Sequence, residues 1–71
     1  MSANDTEKLA HMANQIAAFF AVYGEEEAAA GVAEHINRFW SRPMRAAFVA
    51  AGGEQTDLAP AAARALANIK T

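Results

Sequence analysis

The chain has 71 residues, 54% of them apolar and none cysteine, with a formal net charge of −2. That length holds one small domain, residues 1–71, and the lack of thiols excludes a disulfide framework, a thiolate zinc site and a cysteine nucleophile. No apolar run reaches the roughly 18–20 residues of a membrane span, and the opening MSANDTEK lacks the basic stretch and apolar core of a secretory signal, so a soluble cytoplasmic protein with no membrane contact is expected.

Twenty of the apolar residues are alanines, which leaves eighteen bulky ones. A core so thin predicts a domain that gains stability from a partner or from self-association. So short a polypeptide rarely builds a deep cleft, so it is not expected to be an enzyme by itself. Charge is uneven: residues 1–34 carry six acids and one base, while residues 35–71 carry five bases and two acids.

Alanine favours helix above all other residues, and no segment alternates apolar and polar long enough for a strand. The expected fold is all-α: a small helical bundle made of an antiparallel N-terminal hairpin and two shorter C-terminal helices. The first helix is predicted over 5–23. Asn4 and Glu7 have the spacing of a capping box, and Leu9, Met12, Ile16, Phe19 and Tyr23 draw one apolar stripe, widened by Phe20. Gly24 supplies the stop. The second helix is predicted over 25–40, with Glu25, Glu26 and Glu27 at the positive end of its dipole and an inward stripe of Ala29, Val32, Ile36, Phe39 and Trp40. Gly31 lies inside it and suits a close approach to the first helix.

Ser41 is expected to cap a third helix over about 42–50, with Pro43 in its first turn. Met44, Phe48 and Val49 point inward, and Gly52-Gly53 end it. Asp57 is expected to cap a fourth helix over 58–69, whose thin edge is Leu58, Ala62, Leu66 and Ile69. Because half of residues 58–69 are alanine, the C-terminal segment is expected to be poorly held without a partner, with proteolysis starting in the 51–56 loop.

His11 and His35 lie on different helices with no second ligand at chelating spacing, so no metal site is expected. The Glu25–Glu27 run is explained by the helix dipole alone. The segment Asn37-Arg38-Phe39-Trp40-Ser41-Arg42-Pro43-Met44-Arg45 is the most suggestive. It sets three of the four arginines beside two large aromatics at a helix break, and arginine and tryptophan dominate binding hot spots. Arg38, Trp40, Arg42 and Arg45 are therefore candidate partner- or nucleotide-binding residues, weighed against a core Phe39-Trp40 with solvated arginines. His11, Asn14 and Gln15 form a second polar group beside the apolar stripe. A DNA-binding role is disfavoured by the acidic balance, since phosphate contacts need a basic surplus. No nucleophile, base and orienting group share a recognisable spacing.

Lys8-Leu9-Ala10-His11-Met12-Ala13-Asn14-Gln15-Ile16, then Phe19-Phe20, resembles the opening of the delta subunit of NAD-dependent, molybdenum-containing formate dehydrogenase. Gly31-Val32-Ala33-Glu34-His35-Ile36-Asn37-Arg38-Phe39-Trp40, then Pro43-Met44-Arg45, resembles that family's second block. The likeness covers residues 8–66, although here Arg42 precedes Pro43 where the family pattern sets an arginine after the proline. It implies a non-catalytic accessory or assembly subunit of a cytoplasmic enzyme that oxidises formate at a molybdenum centre and passes electrons through iron–sulfur clusters and flavin to NAD. The partner so implied is the large catalytic subunit and, through it, the NAD- and flavin-binding subunits. A homodimer is an open reading for the free protein. Two functional alternatives stand beside docking: a maturation factor that contacts molybdopterin guanine dinucleotide or another guanine nucleotide, and a small DNA-binding module. No cofactor is expected to be held covalently or by metal ligation in this protein.

Overall fold

Gly24 adopts φ +91°, a backbone state that side chains other than glycine rarely tolerate, and the polypeptide reverses direction there. The computed structural model describes residues 3–52 and 57–71; the expected 51–56 cleavage loop lies mostly outside them. Helix α1 spans Ala3–Phe20 and tightens into a 3-10 turn over Ala21–Tyr23 before Gly24. Helix α2 spans Glu25–Phe39, α3 spans Arg42–Gly52, and α4 spans Pro60–Ala65 and runs into a second 3-10 turn over Leu66–Asn68. The described residues contain no strand, so the all-α expectation holds, as does the order of the four helices.

The two long helices form the expected hairpin, and α2 packs against both α1 and α4. Alanine makes these approaches close. The shared core contains Leu9, Ala13 and Ala17 from α1 and Ala28, Val32, Ala33 and Ile36 from α2. It is completed by Trp40, Phe48, Ala61, Ala62, Ala65 and Ile69. Among the described residues, Phe48, Ile36 and Val32 are the largest fully buried side chains.

The start signals hold where the cap is local. Ser41 Oγ accepts the Met44 amide at 3.3 Å, and Pro43 occupies the first turn of α3, where no amide proton is required. Two other expected caps are corrected. The helical backbone already runs at Ala3, so Asn4 lies inside the first turn and lacks the non-helical geometry a capping residue needs. Asp57 does not cap α4: Ala59 stands at that position and has no capping side chain of its own. Its amide donates instead to Asn14 Oδ1 at 2.7 Å, across 45 residues of sequence.

The α1 stripe is also corrected. Leu9 is buried and Ile16 half-buried, but Met12, Phe19 and Tyr23 are exposed. The buried face runs instead along Ala10, Ala13 and Ala17. Small side chains let α1 lie close to its neighbours, and this turns the bulky stripe toward the edge of the core. Phe39, expected to point inward from α2, is 70% exposed, whereas Trp40 is only 5% exposed. The helix ends between them: Trp40 leaves the helical conformation at φ −84°, ψ 143°, and this break swings the indole into the core.

Candidate functional site

The arginine–aromatic segment comes apart in three dimensions. Trp40 packs edge-on against Phe48, with ring centroids 5.5 Å apart. Arg45 bridges two stretches of backbone: Nη1 donates to the Trp40 carbonyl and Nε to the Lys70 carbonyl, each at 2.6 Å. Arg42 Nε donates to the Thr71 backbone oxygen at 3.0 Å. Arg38 alone remains on the outer face of α2, in an exposed 3.6 Å pair with Glu34 one turn earlier. Two of the three arginines that a phosphate would need are thus directed at residues 70–71, and the geometry gives no support to a guanine-nucleotide contact.

Two asparagines do matching work on the same segment. Asn14 donates Nδ2 to the Asp57 carbonyl at 2.7 Å while its Oδ1 accepts the Ala59 amide. Asn37 donates Nδ2 to the Asn68 carbonyl at 3.0 Å while its Oδ1 accepts the Lys70 amide at 2.8 Å. A primary amide presents one donor and one acceptor side by side, which matches a backbone carbonyl and the backbone amide two residues on. One asparagine therefore holds the entry to α4 and the other its exit. Arg64 adds a 3.1 Å contact to Glu25. The C-terminal segment, expected to be poorly held, is pinned by Asn14, Asn37, Arg42 and Arg45 as well as by its buried alanines. Asn37 lies within the suggestive segment, but nothing in the sequence marks its amide as a backbone clamp.

His11 and Gln15 are exposed, on the α1 flank that also carries Met12 and Phe19. Between this flank and α2 runs an open groove of about 420 Å³, lined by Met12, Gln15, Ile16, Phe19, Phe20, His35 and the edge of Trp40. Its rim is aromatic. Phe19 is 73% exposed and Tyr23 57% exposed. Phe19 stands edge-on to Phe20 at 5.2 Å, and the His35 ring lies 4.8 Å from Phe39. Large side chains clustered in solvent and ringed by a few polar groups are the composition of a protein-interaction surface.

This surface coincides with the bulky α1 stripe visible in the sequence. What the sequence does not disclose is that a neighbouring stripe of alanines takes the core side. The signal is present, since Ala10, Ala13 and Ala17 also follow helical spacing. Bulk alone does not rank two such stripes.

The protein has no cysteine, and among the described residues no three of His, Asp and Glu converge as metal ligands. No helix among the described residues is long and apolar enough to cross a membrane. Residues 8–66 match the family of the NADH-dependent formate dehydrogenase delta subunit, FdsD. No curated protein and no solved structure matches the sequence.

Proposed function

The protein belongs to the formate dehydrogenase delta subunit family, and from that premise we propose that it is a non-catalytic accessory subunit that docks on the molybdenum-containing catalytic subunit of a cytoplasmic formate dehydrogenase. The observation that carries the proposal is the outward bulky stripe: Met12, Phe19 and Tyr23 of the hairpin's first arm, with Phe39 of the second, lie in solvent while Ala10, Ala13 and Ala17 take the core side of α1. Covering one such aromatic side group contributes about 1.5–3 kcal/mol, and aromatics are the usual anchors of an interface. His11, Gln15 and Arg38 supply its polar rim. Trp40, Asn14, Arg42 and Arg45 act from behind, by fixing the position of the helices that present the face.

The test is co-expression of the affinity-tagged protein with the catalytic subunit. Phe19→Asp, alone and with Phe39→Asp, is expected to abolish co-purification while far-UV circular dichroism of the isolated protein stays unchanged. A complex recovered at the wild-type level with both variants removes the surface assignment. A stoichiometric count of the protein in purified active enzyme then separates a resident subunit, present in equal amount, from a factor that leaves after assembly.

A further inference from the structure

The interaction face has a charge order along its length. Glu27, Gly31, Glu34 and Arg38 follow one another at spacings of four, three and four residues, and so share one side of α2. That side borders the groove, because Gly31, Glu34 and Arg38 line a recess together with Phe20, His35 and Phe39. The hairpin-turn end of α2 carries Glu25, Glu26 and Glu27, whereas its far end carries Arg38; on α1 the far end carries Lys8 beside Glu7, charges that offset each other. Glu27 and Arg38 are eleven residues apart, about 16 Å at the rise of an α-helix. Along this side of α2, a carboxylate at Glu27 and a guanidinium at Arg38, one near each end, form an order that is complementary to itself when reversed.

We propose that the free protein pairs with a second copy through this face, about a two-fold axis running across the hairpin, with Glu27 of each copy against Arg38 of the other. An isologous interface requires such self-complementarity. In this register Glu34 stands opposite Gly31 of the second copy, so no acid faces an acid along the stripe. The alternative two-fold, with the hairpin turns together, stacks one acidic turn on the other. Among the described residues the partner of Arg38 is Glu34, in an exposed contact, and its guanidinium has donors enough for a second carboxylate. The pairing buries Phe19, Tyr23 and Phe39, the aromatics left in solvent by the single copy. It rests on reading this surface as an interface, and it makes self-pairing and docking on another subunit mutually exclusive.

The test is sedimentation of the purified full-length protein from micromolar to millimolar concentration. A reversible monomer–dimer equilibrium is expected, lost in Phe19→Asp. Glu27→Lys and Arg38→Glu each place like charges in both symmetric contacts, and each is expected to raise the dimer dissociation constant about tenfold, in line with the modest worth of exposed ion pairs. Equimolar mixing of those two variants restores both contacts within a heterodimer, and is expected to recover dimerisation to the wild-type level. Both substitutions are at exposed positions, so helicity is expected to survive, and circular dichroism checks it. A wild-type protein that stays monomeric throughout overturns the proposal, while docking is judged separately by co-purification. A dimer indifferent to Phe19→Asp, or a mixture no tighter than its components, overturns it as well.

Discussion

The ring of Phe20 lies so close over Gly31 that a methyl group on residue 31 would stand 2.8 Å from the ring. This contact sets how near the two arms of the hairpin approach. It also explains a glycine in the middle of a helix, where glycine costs up to about 1 kcal/mol relative to alanine.

Gly31→Ala gains that helix propensity but overpacks against a whole ring, and overpacking typically costs about 1–3 kcal/mol. The expected net effect is a loss of about 1 kcal/mol in urea-unfolding stability. In a Phe20→Ala background the obstruction is gone, and the same substitution is expected to stabilise. A double-mutant cycle measures this change of sign directly, and additive effects would show that the contact does not govern the spacing.

The paired amide clamps predict a second result. Asn14→Ala and Asn37→Ala each remove a donor and an acceptor facing backbone groups, and each is expected to cost about 1–3 kcal/mol. By contrast Glu25→Ala, which removes the partly exposed contact to Arg64, is expected to cost less than about 1 kcal/mol. Asn14→Asp keeps the acceptor for the Ala59 amide but sets a carboxylate against the Asp57 carbonyl, so it is expected to fall between the wild type and Asn14→Ala. Chemical denaturation of the four variants gives the order.

Arg45 and Arg42 are predicted to differ although both hold the C-terminal end. Arg45 bridges the Trp40 and Lys70 carbonyls from a half-buried position, whereas Arg42 makes one exposed bond. Lysine carries a single ammonium and lacks the planar fork that spans two carbonyls. Arg45→Lys is therefore expected to destabilise by about 1–2 kcal/mol and to speed hydrogen exchange at the Ile69 and Lys70 amides. Arg42→Lys is expected to lie within about 0.5 kcal/mol of wild type, as for most surface changes.

Phe48 and Phe19 supply the contrast between core and surface. Phe48 is fully buried, and Phe48→Ala is expected to cost about 3–5 kcal/mol, enough to leave a 71-residue protein largely unfolded. Phe19→Ala is expected to leave the melting temperature of the monomer within about 2–3 °C while weakening association. Melting at low protein concentration, alongside the co-purification assay, separates the two effects.

Much of this arrangement is legible in the residues. Gly24 as the hinge, Ser41 as a cap, Pro43 and Pro60 in first turns, and the four helices in order all follow from local backbone chemistry, which acts within a few residues. The aromatic groove is half legible: its α1 residues form one visible stripe, but spacing and bulk alone point that stripe inward. The arginines are visible as a cluster but not as ties to residues 70–71, because their acceptors are backbone carbonyls 25 and 29 residues away, and every residue offers a carbonyl.

The sequence by itself determined helix content, helix order and the sharp turn at Gly24, since propensity, capping and glycine's freedom at positive φ are local properties. Only the tertiary structure decided which stripe of α1 faces the core. Close helix approach favours the alanine face, and the aromatics beside it are thereby left in solvent. The tertiary structure likewise decided that Asn14, Asn37, Arg42 and Arg45 face the protein's own backbone, because the hydrogen-bond partner of any side group depends on what the fold brings within about 3 Å of it.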